Sequence, residues 1–588
     1  MRPRKGQRQW VRFVGYDAEG QAVGAVVLGP QGGERAGDAF IGGLGSDGRS
    51  AAGDLASRAL EAEAWEIHAP NGAREDLAEV EIQHASPHRP VAWARILRVL
   101  EPSPYRAQPF GQPGHRCGGC LFAHLASEEQ LWAKGQRLAS LAARFPGASL
   151  SSPLVRPSER LVGYRNRSKY VIGPAGAPLP GRPPGKLRRD AGPRRPASQR
   201  PILGAYLPRS HQVASTLGCP VVDPAIGRAA ELLEEIIARS GLSIYDERLG
   251  RGLLRYASIR SNHRGELLIT LVTASDPGDA GGAEDLASDP GDAGGAEDLA
   301  SDPGDAGGAE DLASDPGDAG GAEDLASLVD GLHELVPGLV GVTLDVNPTR
   351  GNVIFSGQGR ILRGQGVIRD RYGPALVTLT GQGFGQVNRE QAAAIYQAAA
   401  EAALAPLPSP EGRAPRRIWE LYSGTGALAQ VIAHEAASHP RPGSQGLEIL
   451  GVERDASAVE QAKLAARDLG LAPTLRFVAA DAGADAGAML DGLQAGTAPM
   501  DGPQYHSLPD VVVLDPPRTG CSPELLGALS RAQVPRVVYV SCDPETLGRD
   551  LAVLEKGGYE VRSLSGFDMM PQTPHLEVLA LAERVLRP

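Results

Sequence analysis

Three short motifs near the carboxyl-terminal end of the chain hold residue types that can perform covalent catalysis. Cys542 stands in the run Val-Ser-Cys-Asp-Pro, and Asp515 stands upstream, before Pro516 and Pro517. Glu577 follows downstream in the run Pro-His-Leu-Glu. A thiolate can add to an electron-poor ring, and a carboxylate can then remove a proton from it. The three motifs predict Cys542 as nucleophile, Glu577 as general base and Asp515 as an orienting group.

This set suits a carbon atom that is too weak a nucleophile to be methylated directly. Addition of a thiolate to carbon 6 of uracil creates an enolate and makes carbon 5 reactive. A base must then remove the carbon-5 proton before the cysteine can leave. For Cys542 alone the alternative is a buried structural thiol. The two carboxylate motifs in the same part of the chain favour the catalytic interpretation.

Alternating helix and strand patterns from Ala375 onward predict a doubly wound, Rossmann-like α/β sheet. Asp515 and Cys542 close its fourth and fifth strands, so both are expected at the ligand edge. The predicted elements are helix Arg389–Ala405, strand Arg417–Tyr422, helix Ala427–Ala437, strand Leu447–Glu453, helix Ala456–Leu469, strands Leu475–Ala479, Val511–Leu514 and Arg536–Ser541, a helix from Pro544 to Lys556, and strand Val578–Glu583.

Three successive strands of this sheet end in residues that suit a nucleoside. The first runs into a turn with Tyr422, Gly424 and Gly426, which lets a ligand approach the backbone. The second ends at Glu453, an acceptor for ribose hydroxyls, and the third is followed by Asp481, placed to meet an adenine edge. A plain tight turn is the alternative for the glycines alone. The turn lacks the third glycine of the dinucleotide fingerprint, which favours S-adenosylmethionine over NAD.

The rest of the chain predicts two further domains. Short alternating segments before Pro102 predict a small β-barrel, and strand-like runs from Leu161 to Gly373 predict a mainly antiparallel sheet. We therefore expect domains at 1–103, 104–374 and 375–588. The strand-like runs are Gln21–Leu28, Leu77–Ile82 and Val91–Leu100 in the first region, and Tyr164–Ile172, Leu253–Arg260, Glu266–Thr273, Gly341–Asp345 and Asn352–Ser356 in the second.

Composition agrees with a multidomain intracellular protein. A chain of 588 residues is too long for one core and predicts three or four domains. Five cysteines do not make a disulfide framework. The basic N-terminus lacks the apolar stretch of a signal peptide, and no apolar run approaches a membrane span. A cytoplasmic monomer without membrane contact is the expectation.

Three biased segments interrupt the pattern. Residues 275–326 hold four copies of SDPGDAGGAEDLA, and their acidic residues contribute a charge of −16. Because the whole chain has a net charge of −11, the rest of the chain has a net charge of +5. This repeat predicts a disordered insertion, either a regulatory tether or a neutral expansion. Residues 181–201 are basic and indicate either a mobile RNA-binding arm or a solvated loop. Residues 32–62 indicate an expanded loop.

The motifs together resemble the RNA uracil-C5 methyltransferase family. The segments ELYSGTG, GVERD, LDPPRTG, YVSCDPETLGRDL and DMMPQTPHLEVLALAER are similar to that family's motifs, in its order. The run GFGQVNREQA resembles its FxQvN motif and adds Gln386 to the candidate residues. The resemblance implies Cys542 as nucleophile and Glu577 as base. It implies cofactor contacts by Gln386, Tyr422, Glu453 and Asp515.

The same resemblance bears on the N-terminal region and on three cysteines. The first domain looks like an expanded, OB-like TRAM barrel that binds structured RNA. Cys117, Cys120 and Cys219 resemble ligands of a 4Fe–4S cluster, although Gly111 replaces the family's first cysteine. His115 could substitute as a ligand. A vestigial site with packed cysteines is the alternative, and Cys521 is expected to be structural.

Three functions compete at this point. The leading one is methylation of carbon 5 of a uridine in structured RNA, with ribosomal RNA favoured over transfer RNA by resemblance, and with the target base flipped out of its stack. A cytosine-C5 methyltransferase is the second. The resemblance to those enzymes implies a proline or a threonine before the nucleophilic cysteine, whereas this chain has Ser541 before Cys542. A catalytically silent RNA-binding or folding factor is the third, and it would be expected to have lost part of the catalytic set.

Overall fold

The computed structural model describes residues 2–27, 65–108, 117–174, 200–207, 210–277, 321–351, 353–357, 359–408, 412–440, 446–495 and 507–585. The predicted loop expansion at 32–62 and nearly all of the basic segment 181–201 lie outside these ranges. None of the helices in the described part of the chain is long and apolar enough to cross a membrane.

The strands and helices are as follows. In chain order they are β1 (Arg8–Tyr16), β2 (Ala22–Val27), β3 (Glu66–Ala69), β4 (Leu77–Ala85), β5 (Val91–Glu101), α1 (Ser127–Ala142), β6 (Ser149–Arg156), β7 (Arg167–Pro174), β8 (Pro201–Tyr206), β9 (Val213–Ser215), α2 (Pro224–Arg239), β10 (Leu254–Ser261), β11 (Leu267–Thr273), α3 (Gly321–Leu335), β12 (Leu339–Val346), β13 (Gly359–Gly364), β14 (Val367–Tyr372), β15 (Ala375–Thr380), α4 (Arg389–Leu404), β16 (Arg417–Leu421), α5 (Ala427–Ser438), β17 (Glu448–Glu453), α6 (Ala456–Asp468), β18 (Leu475–Ala479), α7 (Asp485–Ala495), β19 (Val511–Leu514), α8 (Pro523–Arg531), β20 (Arg536–Ser541), α9 (Pro544–Lys556), β21 (Tyr559–Phe567) and β22 (Glu577–Arg584).

The N-terminal strands close into a small barrel in the order β1-β2-β3-β5-β4. Along β4 the apolar residues Ala78, Val80 and Ile82 are buried, while the charged residues between them face outward. This period of two is what places one face of a strand inside a barrel. The predicted β-barrel is therefore confirmed. The alternation alone does not indicate β1, whose sequence RQWVRFVGY carries two arginines.

The central sheet has seven strands in the order β13-β12-β11-β10-β7-β8-β9. Only the β11–β12 pair is parallel, so the expectation of a mainly antiparallel sheet is confirmed. Helices α2 and α3 cover one face, where Leu233, Leu332 and Leu271 join one apolar cluster. The hairpin β14–β15 leads from this sheet toward the last domain.

Two predictions in this region are wrong in part. Residues 353–356 do not form a strand, because the carbonyls of Val353 and Ile354 accept hydrogen bonds from the Asn347 side chain instead of pairing with a neighbouring strand. The last six residues of the acidic repeat, 321–326, are not disordered but form the start of α3. Leu325 is 4% exposed and packs into the central cluster, which explains why this copy is helical. Residues 278–320 of the repeat lie outside the described part of the chain.

The last sheet has eight strands in the order β18-β17-β16-β19-β20-β22-β21-β6. The first five are parallel, and β22 runs antiparallel to both of its neighbours. The chain passes from β16 out to β18 and then returns to β19, so the strand order reverses between β16 and β19. Ligands bind at such a reversal point, beyond the carboxyl ends of the strands. The predicted doubly wound sheet is confirmed.

Both faces of this sheet are buried, which explains its apolar strands. Val511 and Val513 of β19 belong to one apolar cluster, and Val512 and Leu514 belong to the cluster on the opposite face. A strand covered on both sides has a continuous apolar run rather than an alternating one. The edge strand β6 pairs with β21 and comes from residues 149–156, well before residue 375 in the chain. Its sequence SLSSPLVR has no apolar pattern, so only the tertiary pairing reveals it.

His68 lies in the barrel between two carboxylates. Its Nδ1 is 2.6 Å from Asp17 Oδ2 and its Nε2 is 2.6 Å from Glu66 Oε1. Burial opposes the charged ring, but the hydrogen bonds to both carboxylates outweigh it and raise the pKa of His68 from 6.5 to about 9. The folded barrel therefore binds a proton on His68 more tightly than the unfolded chain does.

We predict that the pairing of protonated His68 with Asp17 and Glu66 stabilises the protein fully below pH 6.5. This stabilisation is lost as the pH rises through 9, because the imidazolium is then neutralised. The His68→Gln variant should lose on the order of 2 kcal/mol of stability at pH 6 and much less at pH 10. Thermal unfolding of both proteins at several pH values measures the difference. An equal loss at pH 6 and pH 10 would contradict the prediction.

Candidate active site

The glycine-rich turn after β16 lies in the left-handed region of backbone space. Tyr422, Gly424 and Gly426 have φ angles of 64°, 50° and 75°. A Cβ on Gly426 would lie 2.3 Å from the ring of Phe477 in β18, so no other residue fits there. A Cβ on Gly424 would meet no atom within 4 Å. The turn therefore packs against β18 on one side and leaves room for a ligand on the other.

Two carboxylates lie at the ends of the neighbouring strands. Glu453 accepts a hydrogen bond from the Gly424 amide at 3.0 Å on one oxygen and from the Asp455 amide at 2.9 Å on the other. Asp481 accepts from two amides of the following turn, each at 2.8 Å, on a single oxygen. An ionised oxygen offers more than one acceptor site. Both carboxylates can therefore accept further hydrogen bonds from a nucleoside.

Tyr422 is anchored beside a buried cysteine. Burial, together with Cys521, raises the pKa of Tyr422, and burial raises the pKa of Cys521 to about 12. The Cys521 amide and the Tyr539 hydroxyl both donate to Asp550, at 2.8 Å and 2.7 Å. Cys521 is therefore a protonated, packed thiol, in agreement with the structural role expected for it.

Gln386 is joined to Asp515 through a buried tyrosine. The Gln386 carbonyl accepts from Asn166 at 2.9 Å and from the Tyr372 hydroxyl at 3.2 Å, which fixes the segment before α4. The Gln386 side chain is hydrogen-bonded to Tyr396. Burial and the nearby charge of Asp515 raise the pKa of Tyr396 well above its ordinary value. A neutral phenol thus lies between two of the predicted site residues.

Sequence reasoning missed Glu420, a buried carboxyl on β16. It is 2% exposed and accepts a hydrogen bond from the Ala429 amide at 3.0 Å, in the first turn of α5. Burial and then the charge of Asp515 raise its pKa well above the ordinary value, so it is held neutral. An acid between the apolar residues Trp419 and Leu421 of a predicted strand is the sequence signal that could have identified it.

Cys542 and Glu577 lie at the same edge of the sheet. Strands β20 and β22 pair antiparallel with Ser541 opposite Val578, and Cys542 and Glu577 are the next residues at that end of the pair. Glu577 is 7% exposed, whereas Cys542 is half-buried. Cys542 also immediately precedes Asp543, the N-cap of α9. The positive end of a helix favours an anionic sulfur.

Asp515 reaches the same edge from the adjacent strand. Leu514 at the end of β19 pairs with Tyr539 of β20, so Asp515 lies beside the last residues of β20. The following turn is tied to the segment before Glu577, because Arg518 Nη2 lies 3.4 Å from His575 Nδ1. The structure thus brings the predicted nucleophile, base and orienting group together beside the glycine turn.

The predicted metal ligands lie elsewhere, against the central domain. Cys120 and Cys219 pack on its apolar cluster, and burial, together with Cys219 and Cys117, raises the pKa of Cys120 to about 12. Within the described ranges no three His, Cys, Asp or Glu side chains are arranged to hold a metal. Gly111 and His115 lie outside those ranges. The described residues do not fit a 4Fe–4S cluster, and that prediction is unsupported.

Comparison with known proteins agrees with this geometry. The model of the tRNA (uracil-5-)-methyltransferase family matches residues 504–585, which contain Cys542 and Glu577. An uncharacterized RNA methyltransferase of Clostridium tetani is 26% identical over 86% of this chain and 88% of its own length. Another, from Gloeobacter violaceus, is 29% identical over 84% of this chain and 86% of its own.

One solved structure is similar in fold along nearly the whole chain. It is the Pyrococcus abyssi tRNA (uracil-54, C5)-methyltransferase in complex with S-adenosyl-L-homocysteine, with a TM-score of 0.58 and 19% identity, covering 98% of this chain and 100% of that one. The fold, the family match over the catalytic strands and the long RNA methyltransferase relatives lead to one conclusion. Together these findings indicate an S-adenosylmethionine-dependent RNA (uracil-5-)-methyltransferase.

Proposed function

We propose that this enzyme methylates carbon 5 of a uridine in structured RNA through a temporary bond between Cys542 and carbon 6. The observation that carries the proposal is the antiparallel pairing of β20 with β22, which brings Cys542 and Glu577 to the same edge of the sheet. Asp515 at the end of the neighbouring strand supports it. A nucleophile and a base on the same sheet edge can act on adjacent carbons of one ring.

Cys542 begins the reaction. Its thiolate adds to carbon 6, and the ring electrons move to the oxygen on carbon 4, which leaves carbon 5 able to attack a methyl group. The position of Cys542 just before the N-terminus of α9 favours the thiolate. Asp515 orients either the sulfonium group of the cofactor or the imide edge of the uracil.

Glu577 completes the reaction. Its carboxylate removes the proton from the methylated carbon 5, the electrons re-form the double bond between carbons 5 and 6, and the thiolate leaves. Burial of Glu577 keeps this proton transfer away from bulk water. The bond to Arg518 places His575 at the same edge, two residues before the base.

S-Adenosylmethionine would bind in the turn after β16. The open side of Gly424 and the remaining acceptor capacity of Glu453 and Asp481 fit a nucleoside, and the Pyrococcus abyssi relative binds S-adenosyl-L-homocysteine. When bound, the cofactor supplies an electrophilic methyl group. The residues that would hold it are Gln386, Tyr422, Gly424, Gly426, Glu453, Asp481 and Asp515.

The RNA partner is proposed from the barrel and the family. A closed five-stranded barrel with exposed arginines on β5 suits an RNA backbone, in the manner of a TRAM domain. A flipped uridine would enter beside Cys542. That the substrate is ribosomal RNA and not transfer RNA remains a prediction. It rests on the barrel alone, since a metal cluster at the three cysteines is unsupported. A monomeric state and a cytoplasmic location are likewise predictions.

The function is tested with total RNA from a strain that lacks the gene. We expect incubation with methyl-labelled S-adenosylmethionine to place the label in 5-methyluridine, as nucleoside analysis would measure. Separate ribosomal and transfer RNA fractions identify the substrate. Label in 5-methylcytidine would favour the cytosine enzyme, and no label in any RNA would favour a catalytically silent RNA-binding factor.

The covalent route is tested with two variants. Cys542→Ala should abolish methylation, because carbon 5 is never activated. In the Glu577→Gln variant the Cys542 thiolate should still add to carbon 6 and carbon 5 should still be methylated. Product release should be at least ~100-fold slower, since the general base is lost. A denaturing gel then shows labelled RNA bound to protein. Cys219→Ala, at a thiol that packs against the central domain away from this edge, is the matched control and should retain activity. An active Cys542→Ala variant would end the proposal.

The cofactor site is tested at Glu453. Glu453→Ala should weaken S-adenosylmethionine binding roughly 10- to 100-fold, because hydrogen bonds to a charged acceptor are lost. Calorimetric titration measures the change. Glu448→Ala, at the exposed opposite end of the same strand, should bind normally. Equal affinities of the Glu453→Ala variant and the wild type would contradict the assignment.

A further inference from the structure

The loop between β21 and β22, residues 568–576, is buried and leads directly into Glu577. Five of its nine carbonyls accept a hydrogen bond from a donor outside the loop. The pairs are Met569 with Asn388 Nδ2 at 3.1 Å, Met570 with Lys134 Nζ at 3.1 Å, Pro571 with the Tyr164 hydroxyl at 3.0 Å, Gln572 with the Phe122 amide at 2.9 Å, and Pro574 with Arg137 Nη1 at 2.8 Å.

Helix α1 supplies the side chains that reach most of this loop. Gln130, Lys134 and Arg137 follow one another at spacings of four and three residues, so they share one face of the helix. All three donate to the loop. This face of α1 lies far from the loop in sequence and is no part of the motifs that carry the chemistry.

Gln130 and Gln572 form a two-point contact. Gln130 Nε2 donates to Gln572 Oε1 at 2.9 Å, and the Gln572 amide donates to Gln130 Oε1 at 2.8 Å. Gln572 has a φ of 70°, in the left-handed region that a residue with a Cβ adopts only under restraint. It is 1% exposed. The side chain of Gln130 therefore holds the loop in a conformation that it would not keep alone.

Lys134 and Asp568 form a buried ion pair at the start of the loop. The two side chains are 0% and 3% exposed, and Lys134 Nζ donates to Asp568 Oδ1. Burial lowers the pKa of Lys134, while the charge of Asp568 opposes this shift. Each charge compensates the other, so removal of one alone leaves an uncompensated charge in the interior.

We propose that Gln130 and Lys134 are positioning residues that hold Glu577 against carbon 5 of the methylated ring. The inference rests on the proposed role of Glu577 as base. Cys542 follows β20, outside the loop, whereas Gln130 and Lys134 bond to the loop and to the carbonyls of Phe122 and Leu125. These two side chains therefore act on release of the adduct and not on its formation. A misplacement of about 1 Å can slow a proton transfer about 100-fold.

The test is a single-turnover reaction with enzyme in excess over total RNA from a strain lacking the gene and methyl-labelled S-adenosylmethionine. Denaturing gels at successive times separate labelled protein–RNA adduct from labelled free RNA. Gln130→Ala should leave the rate of adduct appearance unchanged and slow its decay about 10- to 100-fold. Ser140→Ala, at an exposed position of the same helix, is the control and should behave as wild type.

A second variant protects the test against misfolding. Lys134→Met combined with Asp568→Asn removes both charges at once, so no uncompensated charge is buried. It should also slow adduct decay selectively. Each variant should unfold in a single thermal transition above the assay temperature and keep wild-type cofactor affinity, which separates positioning from loss of fold.

The outcomes distinguish the two hypotheses. If wild type and Glu577→Gln never place label on protein, the covalent function itself fails. If Glu577→Gln accumulates adduct while both α1 variants release product at the wild-type rate, only the positioning role fails. Equal slowing of adduct appearance and decay would also overturn it, since that pattern indicates a general structural defect.

Discussion

The antiparallel pairing of β22 with β20 is the constraint on which the candidate site depends. In a parallel sheet only the carboxyl ends of strands reach the ligand edge. Because β22 runs the other way, its first residue, Glu577, arrives at the edge where β20 ends and Cys542 follows. One reversed strand thus brings the proposed base to the edge that holds the proposed nucleophile, although 35 positions separate them in the chain.

Beneath this edge the protein buries polar groups that the reaction does not use directly. Glu420 and Tyr396 lie between the glycine turn, Gln386 and Asp515, and both are held neutral by burial. Buried polar groups are tolerated when they are hydrogen-bonded, and they then fix the geometry around them. Glu420 bonds the first turn of α5, and Tyr396 bonds the Gln386 side chain. Glu420 and Tyr396, neither of which is among the site residues predicted from the sequence, therefore support the candidate site.

The other domains are tied to the same site by charged contacts. Arg74 of the barrel pairs with Glu129 of α1 at 2.9 Å, next to the helix residue that holds the catalytic loop. In the central sheet the buried Arg167 donates to the carbonyls of Gly381 and Gly383, each at 3.0 Å, just before Gln386. These bonds place α1 and the Gln386 segment relative to the last sheet. They connect the barrel and the Gln386 segment to the sheet edge that holds the candidate site.

Local pattern in the sequence was sufficient for much of this architecture. The alternation of helices and strands after residue 375 predicted the doubly wound sheet, since each element there buries a continuous or periodic apolar face. Asp515, Cys542 and the glycine turn were predicted as site residues because they follow predicted strands, Glu577 was predicted from its short motif, and Gln386 was added by the family resemblance. The barrel and the antiparallel central sheet were likewise visible as alternating segments.

Other features depend on contacts between residues far apart in the chain. Strand β6 has no apolar pattern in its sequence, and it forms a strand through its backbone pairing with β21. The last six residues of the acidic repeat are helical because Leu325 finds a buried site, which composition cannot reveal. The three cysteines looked like metal ligands, yet the described fold does not assemble them into a metal site. The hydrogen bonds from α1 to the loop before Glu577 likewise depend on the tertiary structure. Their partners are more than 430 residues apart in the chain, so the local sequence gives no sign of them.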